Sequence, residues 1–114
     1  MNEKFVENIY KTIVTDGIGE YKNLLENTSD EDATDKYWIS ALELYKKLSS
    51  EEKEKMLKFA GLIMIDTISN VFGILDGSSI LAEETFEFEV KINGISTENE
   101  LQDTFLGFIE DNMD

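Results

Sequence analysis

Apolar residues recur at helical spacing through most of the chain and switch to strict alternation only near residue 86. Phe5, Val6, Ile9, Tyr10, Ile13 and Val14 predict a first helix over residues 3–15, with Asn2 as its cap and Asp16-Gly17 as its break. Ile18, Tyr21, Leu24 and Leu25 predict a shorter helix over 18–26, followed by a polar connector, NTSDEDATD, over 27–35. A third helix over about 35–48 carries Tyr37, Trp38, Ala41, Leu42, Tyr45 and Leu48 on one broad face, a spacing expected of core side chains. Ser49 and Glu52 then form an S-x-x-E capping box. No proline interrupts the chain after it, so one long helix is predicted to run to about residue 75 and stop at Asp76-Gly77.

Beyond that stop the period becomes two. In TFEFEVKI (85–92), Phe86, Phe88, Val90 and Ile92 fall on one face and Glu87, Glu89 and Lys91 on the other, which predicts a half-buried strand. Asn93-Gly94 turns the chain after it, and the expected pairing partner is a short strand at Ser79–Ala82, joined through Glu83-Glu84. Thr97 and Glu100 give a second capping box, and Leu101, Phe105, Phe108 and Ile109 line a last helix. The pattern predicts a single α+β domain over 1–114, predominantly helical, with about five helices and one small β-hairpin before the C-terminal helix.

Composition narrows the chemistry. The 114 residues include no cysteine, histidine or proline, and all ten basic residues are lysine. Disulfides, thiolate metal sites, Ser-His-Asp arrangements and bidentate arginine grips on phosphate are therefore excluded. No export segment and no membrane span is expected, because Lys58, Asp66 and Asn70 punctuate the longest apolar stretch; the expected location is the cytoplasm. The net charge of −15 is lopsided: residues 1–58 carry −4 and residues 59–114 carry −11, with Lys91 the one base in the second part. Such a field disfavours nucleic acid and anionic membrane and attracts basic protein partners.

Three patterns are candidates for chemistry. The connector resembles a calcium loop in the alternation of Asp30, Asp32 and Thr34, but Asp35 and Ala41 stand where glycine and glutamate are needed, so no calcium site is expected. On the long helix, Asp66, Ser69, Asn70 and Gly73 fall on one row that Asp76 continues, either as the surfacing side of an amphipathic helix or as a groove with carboxylate walls. Asp66 with Asp76 or Asp103 is a conceivable acid–base pair or magnesium site, which would make the chain a small hydrolase. The third pattern, Glu83, Glu84, Glu87 and Glu89, reads either as a solvated strand face or as an interaction surface.

The stretches DTISNVFGILDGSS, FEFEV and LQDTFLGFIED, in that order, resemble in general layout the small acidic bacterial immunity proteins of polymorphic and contact-dependent inhibition toxins, over roughly residues 37–112. The resemblance implies a toxin-neutralising partner and no catalytic role. The expected function is thus a non-enzymatic acidic binding protein without cofactor or metal. Asp66, Asn70, Asp76, Glu83, Glu84, Glu87, Glu89 and Asp103 are the candidate contacts to a basic toxin domain. A hydrolase centred on the long helix and a structural, self-associating protein are the alternatives.

Overall fold

The computed structural model describes residues 1–29, 31–84 and 86–112; Asp30 of the calcium-like loop, Thr85 at the start of the expected strand, and residues 113 and 114 lie outside them. The order is α1 (Asn2–Ile9), a π-helical segment (Tyr10–Thr15), α2 (Asp16–Asn27), α3 (Lys36–Lys47), α4 (Ser50–Leu75), β1 (Lys91–Ile92), β2 (Ile95–Ser96) and α5 (Leu101–Asn112). α1, the π segment and α2 form one uninterrupted rod, so the fold is predominantly helical and, among the described residues, has four helices where about five were expected, with a two-stranded antiparallel sheet.

The expected break at Asp16-Gly17 does not occur. Asp16 keeps helical dihedrals and its N–H reaches back to the carbonyl of Lys11, the five-residue bond of a π turn. Residues seven apart stay nearly in phase on an α-helix, and one extra residue per π turn makes that spacing eight. Val6 and Val14 consequently both face the core. Gly17 costs the helix about 1 kcal/mol in propensity, an amount that burial of its neighbours readily outweighs.

α4 is the spine. Its C-terminal half packs Ile65, Ile68 and Phe72 against Val6, Val14, Leu101 and Phe105. Its N-terminal half packs Leu57 against Leu25, Leu42 and Tyr45. Ile18 lies against both clusters, and Gly61 admits it: a Cβ there would meet Ile18 Cδ1 at 2.7 Å. Tyr45 donates its hydroxyl to Glu26 Oε1 at 3.0 Å. Burial, and then that carboxylate, hold the phenol above its ordinary value.

Helix ends follow local chemistry. Asp35 Oδ1 accepts from the backbone N–H groups of Tyr37 and Trp38 at 2.8 and 3.0 Å. Ser49 and Glu52 close the predicted capping box in both directions, at 2.8 and 3.2 Å. α4 ends in a Schellman arrangement: Gly77 takes φ +81°, Ser78 N–H bonds Gly73 O at 2.9 Å, and Gly77 N–H bonds Ile74 O at 3.1 Å.

The hairpin sits where expected in the order, but with a different partner. Asn93 and Gly94, at φ +53° and +82°, form a two-residue turn that pairs Lys91 with Ser96 and Ile92 with Ile95. Residues 79–84 cannot pair with 86–92, because Ala82 and Glu83 sit at positive φ in their own tight turn, closed by Glu84 N–H to Leu81 O at 3.0 Å. Residues 86–89 therefore have no strand partner among the described residues, while Val90 O accepts from Thr97 N–H at 2.9 Å; Phe86 and Phe88 are left exposed, and Val90 and Ile92 reach the core. Thr97, expected to open a capping box with Glu100, is instead buried, and its carbonyl accepts from Asn2 Nδ2 and Glu100 N–H.

Two outcomes follow for the start of α4. Ser49→Ala should lower stability by about 1 kcal/mol, read as a fall of several degrees in melting temperature. The bond from Ser49 N–H holds the Glu52 carboxyl below its ordinary value of 4.5. A depressed folded-state value means that this contribution is present above about pH 4.5 and is lost as pH falls through the folded value. Acid unfolding of Glu52→Gln should accordingly lack that part of the wild-type pH dependence.

Candidate functional site

The polar row on α4 divides into two parts. Ser69 and Gly73 are buried beneath Gln102, the second residue of α5. Gln102 Nε2 donates to Ser69 O at 3.0 Å and to Ser69 Oγ at 3.3 Å, and Ser78 Oγ donates to Gln102 Oε1 at 3.1 Å. Gly73 makes room: a Cβ there would stand 2.7 Å from Gln102 Nε2. Asp76 completes the junction by accepting the Gln102 backbone N–H on Oδ2 at 2.7 Å, which caps α5 from across the fold. Its Oδ1 is buried and has no hydrogen-bond partner among the described residues. This part of the row is thus an interhelical seam, neither a solvated face nor an open groove.

Asp66 and Asn70, one turn earlier, are exposed on α4. About ten residues of helix put Asp66 and Asp76 roughly 15 Å apart along the axis, beyond the spacing of paired glycosidase carboxylates. Asp76 is also committed to α5. Among the described residues, no group of three acids is placed to hold a metal ion.

The other candidate acids occupy separate places. Glu83 and Glu84 are exposed in the tight turn, and Glu87 and Glu89 are exposed in the stretch before β1, where Glu89 meets Lys91 at 3.5 Å. Asp103 lies in the first turn of α5, on a groove of about 350 Å³ between α1 and α5. Glu3, Glu7 and Asp111 line that groove with it, and no lysine does. The Glu3 carboxyl is held below its ordinary value, first by its own backbone N–H at the helix start and then by the Met1 amine at 3.5 Å. Glu3, Glu7 and Asp111 were not singled out by the sequence reading. The available signal is that Glu3 and Glu7 stand four apart on one helix and Asp103 and Asp111 eight apart on another, which needs the helix pairing to acquire meaning.

A second groove, about 440 Å³ in volume, opens between the rod and α4 and is walled by Ile9, Ile13, Ile63, Met64, Val71 and Phe72. Next to it Phe59, Leu62 and Ile63 are half exposed or more. By length and composition alone α4 is apolar enough to cross a membrane, although the sequence pattern was read as too interrupted for a span. Its core-facing side is occupied by the π-helical segment, α2 and α5.

Comparison with protein-family models, with curated proteins and with solved structures gives no match for this chain.

The seam makes a quantitative prediction. Gly73→Ala should destabilise the wild type by displacing Gln102 from Ser69. In a Gln102→Ala background the same change should be neutral or stabilising by up to about 1 kcal/mol, through helix propensity. Denaturant titration of the four proteins measures the coupling, and additive effects would show that Gln102 does not depend on the Gly73 notch.

Proposed function

We propose that this chain is a cytoplasmic acidic binding protein of the immunity type, which neutralises a basic toxin domain by occupying its cationic site. The observation that carries this reading is the α1–α5 groove, where Glu3, Glu7, Asp103 and Asp111 share one concavity without a lysine among its walls. Residues 59–114 hold one base, Lys91, and it is engaged by Glu89; Glu3 meets the Met1 amine, while Glu7, Asp103 and Asp111 have no ion-pair partner among the described residues. A partner's lysines or arginines entering there would replace water with oriented carboxylates and would be steered in by the net charge of −15.

Charge alone supplies rate and selectivity more than affinity, so apolar anchors are also needed. Phe86 and Phe88 meet that need: both rings are exposed, 6.1 Å apart, and interleaved with Glu87 and Glu89. In this reading the contacts are the groove acids and the exposed residues 86–89, while Asp76 serves α5 and takes no part.

A pull-down from the native cell should return one basic protein at low salt and lose it as salt rises. Glu7→Lys combined with Asp103→Lys should weaken that capture at least about tenfold. Unchanged capture by the double variant, or recovery of the bait alone at low salt, would overturn the reading.

A further inference from the structure

We propose that the chain forms a two-fold dimer through an antiparallel crossing of α4 on α4, centred near Leu62. The proposal rests on the apolar face of α4 and not on the acidic groove, so it stands apart from toxin neutralisation.

Surface area is the first argument. A monomeric protein of 13.0 kDa is expected to expose about 6,300 Å², whereas this chain exposes 8332 Å². Its radius of gyration is 17.3 Å, against about 13 Å for a compact chain of this length. Residues 77–84 and 86–89 are exposed and contribute part of the surplus. Another part lies on α4, where Phe59 is 63% exposed and Leu62 and Ile63 are each 50% exposed. A stable pair of proteins buries about 800 Å² on each partner, which the surplus accommodates.

Charge selects a second copy as the occupant. Residues 55–75 of α4 carry Lys55, Lys58 and one acid, Asp66, so the segment is net positive within a chain of −15. Lys58, Leu62 and Asp66 are spaced four apart and therefore form one row on the helix. Neither Lys58 nor Asp66 has an ion-pair partner among the described residues. A two-fold axis beside Leu62 sets each Lys58 opposite the partner copy's Asp66, with the Leu62 side chains meeting on the axis. Phe59 and Ile63 gather on one flank of that contact. The arrangement is self-complementary, as an isologous interface requires. α5 leaves it free, because Gln102 covers the same row only from Ser69 onward.

Sedimentation equilibrium of the full chain at about 100 µM tests this, a concentration well above a micromolar Kd. The expected mass is twice 13.0 kDa for the wild type and a single chain for Leu62→Asp. Asp66→Lys should weaken the dimer about tenfold, and Asp66→Lys with Lys58→Asp should restore it. Raised salt should strengthen the dimer by relieving overall repulsion, the opposite of its effect on capture of a basic partner. Far-UV circular dichroism confirms that each variant is folded. A monomeric wild type, or a dimer indifferent to Leu62→Asp, overturns the proposal. So does a monomer that binds neutral lipid vesicles, or a different protein, through a surface that Leu62→Asp abolishes.

Discussion

A helix of 26 residues, apolar on most of its circumference, must be covered, and the rest of this chain is too short to wrap it. The arrangement of every other element follows from that shortage. α2 and α3 cover the N-terminal half of α4, α1 and α5 cover the C-terminal half, and Ile18 joins the two cores where Gly61 lets it close. The solution is an elongated molecule with extents of 47 × 32 × 24 Å, in which two modest cores share one rod. Coverage is densest on the side facing these helices and fails on the side bearing Phe59, Leu62 and Ile63.

Polar groups within this scheme do different work according to their depth. Asp76, Ser69 and Gln102 bind the start of α5 to the end of α4, so a single glutamine satisfies backbone and side chain of two elements at once. The exposed acids are left free of such duties. Glu3, Glu7, Asp103 and Asp111 gather on a groove that the core does not need, and their mutual repulsion is tolerated because water reaches them.

Features set by neighbouring residues were legible in the sequence. Ser49 with Glu52 and Asp76-Gly77 as a stop each act within one turn of chain, and both appear as read. Features set by distant contacts were not. Asp16-Gly17 carries a strong local break signal, yet a π turn and the pull of the core carry the helix through it. The strand over 85–92 was read from its alternation, but Ala82 and Glu83 form a turn of their own, and Asn93-Gly94 pairs as strand only its last two residues. Asp76 was singled out for an external partner, since nothing in sequence reveals an N–H group of Gln102 waiting 26 positions away. The groove acids were hidden for the same reason: two helical spacings acquire meaning only when α1 is laid against α5.

The side chain of Gln102, seated in the Gly73 notch, behaves as a mechanical detent. Packed helices often have neighbouring ridges of similar energy, and a step of α5 along α4 by one turn would be about 5.4 Å. Such a step would bring Leu106 over the notch, where the hydrogen-bonding groups of Ser69 and Ser78 would face an aliphatic side chain. The detent therefore calibrates the distance between Asp103 and Glu7 from the far side of the helix. A surface that faces water thus takes its spacing from a buried amide.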